Sequence, residues 1–133
     1  MIKIKSIDEE NVLDVCELKT DQDDIRAAIA GRSYCNAIYN NNLLIGFFMY
    51  QRTENHAKTV MICRFMLDDR FRHDRFEEKA LEHILRGLKI QGVKEVMVSI
   101  DNANEHTKKL YLSFGFHPTG ETDKAGYCYK LEI

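Results

Sequence analysis

The stretch NEHTKKLYLSFGF, residues 104–116, is the most informative part of this chain. Three of its apolar residues recur at helical spacing and form one face: Leu110, Tyr111 and Phe114. Gly115 then suits the end of a helix, and the apolar run KEVMVSI before it, residues 94–100, predicts a buried strand. The helix therefore starts where a strand ends, which brings Asn104 and Tyr111 to a sheet edge, about two helical turns apart.

Outward from this stretch, strand and helix patterns follow one another along the whole chain. Runs rich in β-branched and aromatic residues predict seven strands, near 2–7, 33–39, 43–50, 59–67, 94–100, 116–119 and 127–132. Two helices are predicted between residues 8 and 30, and a strongly amphipathic one runs from Arg72 to Gly92. The order β α α β β β α β α β β predicts an α/β fold with a mixed sheet, antiparallel in its N-terminal half.

Composition narrows the class of protein. The 133 residues are 44% hydrophobic and 30% charged, which predicts one globular domain spanning residues 1–133. A net charge of −2 without a dense basic face or an aromatic-basic strand motif argues against nucleic acid as a partner. Because no apolar run approaches the roughly 18 residues of a membrane span, and no secretory signal is evident, we expect a cytoplasmic protein without a membrane partner. The four cysteines are scattered singly, which predicts no metal site. The sequence leaves open whether the protein forms a homodimer.

The segment 104–121 resembles a motif of the GNAT superfamily of acetyltransferases. The matching positions are Asn104, the Leu110-Tyr111 pair, Gly115-Phe116 and the final Gly-Glu pair. The resemblance implies the GNAT fold and acetyl-CoA as cosubstrate, with Asn104 contacting its pantetheine arm and Tyr111 donating a proton to the departing thiolate. Taken alone, a tyrosine on an apolar helix face is better explained as a core residue; the spacing of the whole motif favours the catalytic role.

A second segment, RFMLDDRFR at residues 64–72, resembles the GNAT strand that leads into the cofactor loop. The resemblance implies that main-chain N–H groups of Phe65, Met66 and Leu67 bind the pantetheine and polarise the thioester carbonyl. Such donors stabilise developing negative charge without requiring particular side chains. An ordinary buried strand explains the same apolar residues equally well.

The loop that follows departs from the family pattern. By resemblance, the CoA pyrophosphate would contact six consecutive residues: Arg72, His73, Asp74, Arg75, Phe76 and Glu77. Family members carry small residues at the fourth and sixth positions, where backbone N–H groups close around the phosphates at a helix N-terminus. Here Arg75 and Glu77 occupy those positions. A carboxylate about 4 Å from a phosphate charge would cost roughly 4 kcal/mol at an effective dielectric near 20, unless the side chain turns away.

The sequence indicates the amine-binding residues less specifically than the cofactor-binding residues. Residues 13–22 and 43–50 resemble the spermine/spermidine acetyltransferase branch of the family, which implies a small, polyamine-like amine as substrate. Compared with that branch, the stretch before the strand at 33–39 is about ten residues short. Four acidic residues are candidates to contact the amine, although a solvated helix face explains them as well: Glu17, Asp21, Asp23 and Asp24.

The base that would accept the proton of the amine is not assigned by the sequence. The strand at 59–67 carries no carboxylate, so an ordered water is the expected acceptor. Three histidines are further candidates, because the ordinary pKa of histidine is suited to proton transfer near neutral pH. They are His56, His73 and His117.

Two functional hypotheses follow from the sequence. The first is an acetyl-CoA-dependent N-acetyltransferase in which a small amine attacks the thioester directly. The alternative is a catalytically silent GNAT-fold binding or regulatory module with weakened CoA binding, because Arg75 and Glu77 replace the small residues of the pyrophosphate turn.

Overall fold

A computed structural model describes residues 2–7, 14, 34–53, 56–71, 75–124 and 126–133 of the chain. Asp14 is helical. The remainder of the two helices predicted between residues 8 and 30 lies outside the described residues, and so do the candidate residues Glu17, Asp21, Asp23 and Asp24.

Seven strands form one mixed sheet, as the sequence predicts. They are β1 (Ile2–Ser6), β2 (Tyr34–Asn40), β3 (Leu43–Thr53), β4 (His56–Leu67), β5 (Glu95–Ile100), β6 (His117–Asp123) and β7 (Gly126–Glu132). Their order across the sheet is β1-β2-β3-β4-β5-β7-β6. Only the β4–β5 pair is parallel within this sheet, and the other described pairs are antiparallel. The strand β6 extends to Asp123, beyond the predicted end near residue 119, because it pairs again with β7 after an irregularity between Pro118 and Thr122.

Two α-helices with described bounds pack against this sheet, and a short 3-10 helix (Asp69–Phe71) follows β4. Helix α1 (Phe76–Ile90) connects β4 to β5, and α2 (Glu105–Ser113) connects β5 to β6. The predicted apolar face of α1 is confirmed, since five of its residues are buried: Ala80, Leu81, Ile84, Leu85 and Leu88. Gly92 follows α1 at φ 92°, a conformation that glycine adopts easily, and this fits the predicted end of the helix.

Apolar side chains form a cluster on each face of the sheet. The larger cluster joins α1 and α2 to one face and includes Val60 and Ile62 of β4 and Val98 of β5. A smaller cluster lies on the opposite face and consists of Ala37, Phe47, Met49 and Met66. We refer to these as the helix face and the far face of the sheet.

The strands β4 and β5 pair over only part of their length. Their register runs from Thr59 opposite Glu95 to Ile62 opposite Val98, and beyond these positions the two strands part. The next residue, Cys63, is a β-bulge, because on β3 Met49 pairs with Arg64 while its neighbour Tyr50 pairs with Ile62. A bulge bends its strand and ends regular pairing. The bulge also shifts the alternation of side chains along β4. Beyond it, β4 continues to pair with β3 but no longer with β5, and this leaves a gap between β4 and β5.

The start of α1 has an unusual backbone. Arg75, the residue before the helix, adopts φ 63° and ψ 23°, in the left-handed region. Only glycine adopts this region without steric penalty, which for other residues amounts to roughly 1 kcal/mol or more. The position where the resemblance predicts glycine therefore keeps the backbone conformation of a glycine, although it carries an arginine.

We expect Arg75→Gly to be more stable than Arg75→Ala by about 1 kcal/mol, or about 4 °C in melting temperature. Both substitutions remove the guanidinium group, but only glycine relieves the left-handed strain. Differential scanning calorimetry of the two variants measures the difference. Equal melting temperatures would show that the backbone at this position is not strained.

Candidate active site

A cleft occupies the gap between β4 and β5. It encloses about 340 Å³ and is lined by residues 62–66 of β4, by residues 98–101 at the end of β5, and by three residues at the start and on the inner side of α2: Asn104, Thr107 and Tyr111. The two strands thus supply two walls and α2 supplies the third. The structure brings together the predicted residues Phe65, Met66, Asn104 and Tyr111, whose roles stay predictions.

Tyr111 lies at the base of this cleft and is almost fully buried, with 2% of its surface exposed. Its ring meets the ring of Phe116 edge-on, with centroids 5.1 Å apart, and Phe116 donates its backbone N–H to the Tyr111 carbonyl at 3.2 Å. Burial, and secondarily the negative charge of Glu77, raises the pKa of the Tyr111 phenol above its usual range. The hydroxyl group is therefore protonated at neutral pH, as a proton donor must be.

Asn104 caps the N-terminus of α2. Its side-chain oxygen accepts a hydrogen bond from the backbone N–H of Thr107 at 3.1 Å, the usual arrangement for an asparagine at this position. Because the oxygen is engaged in the cap, the carboxamide nitrogen is the atom suited to donate to a bound molecule. The turn before the helix is held by Asp101, whose carboxylate accepts from the Ala103 N–H at 2.9 Å.

Residues 62–66 of β4 form the opposite wall, and the predicted residue Leu67 follows outside the lining. Phe65 is half-buried against the helix-face cluster, whereas Met66 is buried in the far-face cluster and Leu67 returns to the helix face. This alternation fixes all three side chains in packing. The main-chain role that the sequence resemblance implies for this segment stays a prediction.

Carboxylates at the start of α1 contact neighbouring basic side chains. Glu77, 19% exposed in its side chain, lies 2.9 Å from Nε2 of His106 on α2. The Arg75 guanidinium group contacts the Glu78 carboxylate at 2.6 Å. Arg75, a predicted phosphate contact, is thus paired with Glu78, and the Glu77 carboxylate, which would repel phosphate, contacts α2. Arg72, His73 and Asp74 lie outside the described residues.

A second groove, of about 300 Å³, begins at the Glu77–His106 pair. It runs between α1 and α2, and its lining includes Arg75, Lys109 and Ser113. The two cationic side chains of this lining, Arg75 and Lys109, are matched by two carboxylates, Glu77 and Glu78. The Glu77–His106 pair lies on its lining.

Several predicted candidates are not part of the cleft lining. His117 is exposed at the start of β6, and the side chain of His56 and all of His73 lie outside the described residues. Conversely, Ser99, Asp101 and Thr107 line the cleft although no sequence motif pointed to them. Position alone could have indicated Ser99, since it is the one polar side chain in the last four residues of an apolar strand.

The described part of the chain offers neither a metal centre nor a membrane anchor of helical type. Among the described residues, no group of three or more histidine, cysteine or acidic side chains is arranged to hold a metal ion. Within the same residues, no helix has both the length and the apolar character to cross a membrane.

A mixed sheet that opens between two parallel strands, beside a capped helix N-terminus and a buried tyrosine, defines an acetyltransferase-like α/β protein. The sequence pattern of the Acetyltransferase (GNAT) family matches residues 4–116, and the chain belongs to this family. The predicted family and fold are thereby confirmed.

The individual proteins that this chain resembles share only a low sequence identity with it. The spermine/spermidine N(1)-acetyltransferase of Bacillus subtilis is 25% identical, over 94% of this chain and 93% of its own length. The ribosomal-protein-S18-alanine N-acetyltransferase of Escherichia coli shares the fold with a TM-score of 0.77 at 16% identity, covering 100% of this chain and 94% of its own. The PaiA N-acetyltransferase of Thermoplasma acidophilum, solved with coenzyme A, gives a TM-score of 0.73 at 14% identity, covering 100% and 99%.

We expect Glu77→Gln to bind CoA about tenfold more tightly than the parent protein. The substitution removes a negative charge beside the start of α1 and releases the His106 imidazole, and tenfold corresponds to about 1.4 kcal/mol. Isothermal titration calorimetry measures the change. Glu82→Gln is the matched control, since Glu82 lies on the same helix and pairs with Arg86 at 2.8 Å. An unchanged affinity in Glu77→Gln would place this carboxylate away from the phosphates.

Proposed function

We propose that this protein is an acetyl-CoA-dependent N-acetyltransferase that acts on a small amine. The observation that carries the proposal is the opening of the sheet between β4 and β5. The cleft there has Asn104 and Tyr111 on the helix face, while Ser99 of β5 points to the far face by strand alternation. Two reactants can therefore meet in the gap from opposite sides of the sheet.

The residues present fit the pantetheine half of acetyl-CoA. The cleft reaches the buried Tyr111, and Asn104 in its lining offers a carboxamide donor to an amide carbonyl of the arm. The main chain of Phe65, Met66 and Leu67 follows the opposite wall, where its N–H groups would hold the arm and the thioester oxygen. The left-handed backbone at Arg75 supports binding of the pyrophosphate half of acetyl-CoA, since it retains the turn that a glycine provides in the family.

Acetyl-CoA, when bound, supplies an activated acetyl thioester. The main-chain N–H groups at the end of β4 would stabilise the negative charge that develops on the thioester oxygen. The amine, having lost one proton to water, forms a bond to the carbonyl carbon, and the bond to sulfur breaks. Tyr111 would give its proton to the departing sulfur and regain one, through water, from the nitrogen of the new amide.

A polyamine-like acceptor is supported by the similarity to the Bacillus subtilis spermine/spermidine enzyme, which spans nearly the whole chain. Glu17 and Asp21 remain our candidates for contacts to the amine from the segment between β1 and β2. A small cationic amine also suits the limited volume of the gap, about 340 Å³.

The test of this function is acetyl transfer by the purified chain. We expect thiol release from acetyl-CoA to depend on spermidine or spermine, with the acetylated amine identified by mass spectrometry. Acetyl-CoA alone should raise the melting temperature by several degrees, since a ligand at a hundred times its Kd adds about 2.7 kcal/mol. No shift at millimolar acetyl-CoA, together with no thiol release, would contradict the proposal and favour a catalytically silent module.

We expect Tyr111→Phe to lower kcat about a hundredfold while leaving CoA affinity almost unchanged. The substitution removes only the hydroxyl group and keeps the ring that packs against Phe116, and a general acid contributes at least this factor. Steady-state kinetics and calorimetry measure the two quantities.

The matched control is Tyr129→Phe, which removes a hydroxyl from a buried tyrosine of β7 outside the cleft lining. Equal kcat values for the parent and Tyr111→Phe across the pH range would refute the role of Tyr111 as the acid.

A further inference from the structure

We infer that Asp123, acting with Ser99, is the group that recognises the ammonium of the acceptor amine on the far face of the sheet. The inference rests on the proposed function and names a determinant of acceptor specificity, Asp123, that lies outside the family motifs of the sequence. Its basis is a side-chain contact across three strands at the mouth of the cleft.

The hydroxyl of Ser99 donates a hydrogen bond to Oδ2 of Asp123. Ser99 belongs to the cleft lining, whereas Asp123 is exposed and lies 24 residues further along the chain, at the end of β6. The carboxylate is thus one hydrogen bond away from the cleft and open to solvent.

The position of this carboxylate is determined on both of its oxygens. While Oδ2 accepts from Ser99, Oδ1 accepts the backbone N–H of Gly126 at 3.1 Å. Cys128, opposite Ser99 on the neighbouring strand, completes the group with its sulfur 3.6 Å from the Ser99 oxygen and 3.8 Å from Oδ2. A side chain held in this way loses little further conformational entropy when it binds a ligand.

Gly126 is what allows the hairpin to come this close. A Cβ atom at this residue would lie 2.2 Å from the Ile100 carbonyl oxygen and 2.9 Å from the Asp101 Cα atom, and the residue has φ +144°. The β6–β7 turn therefore packs directly on the end of β5, where the cleft opens. This packing brings Asp123 within hydrogen-bond distance of Ser99, in the cleft lining, although β7 lies between β6 and β5.

Alternation along β5 sets the side from which the amine would approach. Val98 and Ile100 are buried in the helix-face cluster, so Ser99 between them points to the far face. Arg64, the cation in the described cleft lining, lies across the gap on β4. An ammonium group is therefore attracted to the β5–β7 side, where it can donate to the Ser99 oxygen and to Oδ2 of Asp123.

The decisive variant is Asp123→Asn, which retains an oxygen for the Gly126 N–H and can still hydrogen-bond Ser99, but lacks the charge. We expect its KM for spermidine to rise tenfold or more, because hydrogen bonds to charged groups are the strong ones. The KM for acetyl-CoA and the melting temperature should stay near those of the parent. Ser99→Ala should show a smaller rise in the KM for spermidine.

Two controls separate recognition of charge from a structural role. Glu121→Gln removes an exposed carboxylate from the same hairpin and should leave all constants unchanged. Aniline, an amine that is uncharged at neutral pH, should be acetylated with the same KM by the parent and by Asp123→Asn. An equal rise in KM for aniline and spermidine, or a KM for spermidine within twofold of the parent, would overturn the inference.

Calorimetric binding of spermidine in the absence of acetyl-CoA tests the same contact without requiring turnover. We expect the affinity for spermidine to fall tenfold or more in Asp123→Asn and not in Glu121→Gln. Equal affinities would overturn the inference even if acetyl transfer is observed. A parent protein that binds spermidine through Asp123 yet transfers no acetyl group would instead refute the proposed function and leave the recognition site intact.

Discussion

The end of pairing between β4 and β5 is the constraint on which the rest of the site depends. Parallel strands normally continue side by side because each backbone amide needs a partner. Here the register stops at Ile62 and Val98, and the bulge at Cys63 turns β4 away while its pairing with β3 continues. The gap that results is the cleft. It gives access to the interior from both faces of the sheet without disturbing the buried cluster beneath it.

The two sides of this gap differ in chemistry. On the helix face, Tyr111 is buried and uncharged, and the Asn104 cap leaves a carboxamide donor at the rim. On the far face, the exposed carboxylate of Asp123 contacts Ser99 at the mouth. A neutral acid on one side and a negative charge on the other suit a reaction in which a thioester enters from the helices and a cation from the opposite direction.

The start of α1 keeps the backbone conformation expected for the GNAT family, although its side chains differ from those of the family pattern. Arg75 keeps a left-handed conformation, and the Glu77 carboxylate, which would repel phosphate, is bound by His106 on the neighbouring helix. The sequence predicts strong repulsion at this turn unless the Glu77 side chain turns away. The contact with His106, made possible because α2 starts close to α1, directs this side chain toward α2 but leaves its charge beside the start of α1.

The elements of this fold follow from local patterns in the amino-acid sequence. The spacing of apolar residues in α1, the alternation in the strands and the glycines at helix ends predict seven strands and the two described helices, and the motif around Tyr111 identifies the family. Which polar groups meet at the cleft, by contrast, depends on the three-dimensional arrangement of these elements. Ser99 and Asp123 lie 24 residues apart, and Glu77 and His106 lie 29 apart. Their contacts require the strand order, the bulge at Cys63 and the close packing at Gly126, none of which leaves a periodic signal in the chain.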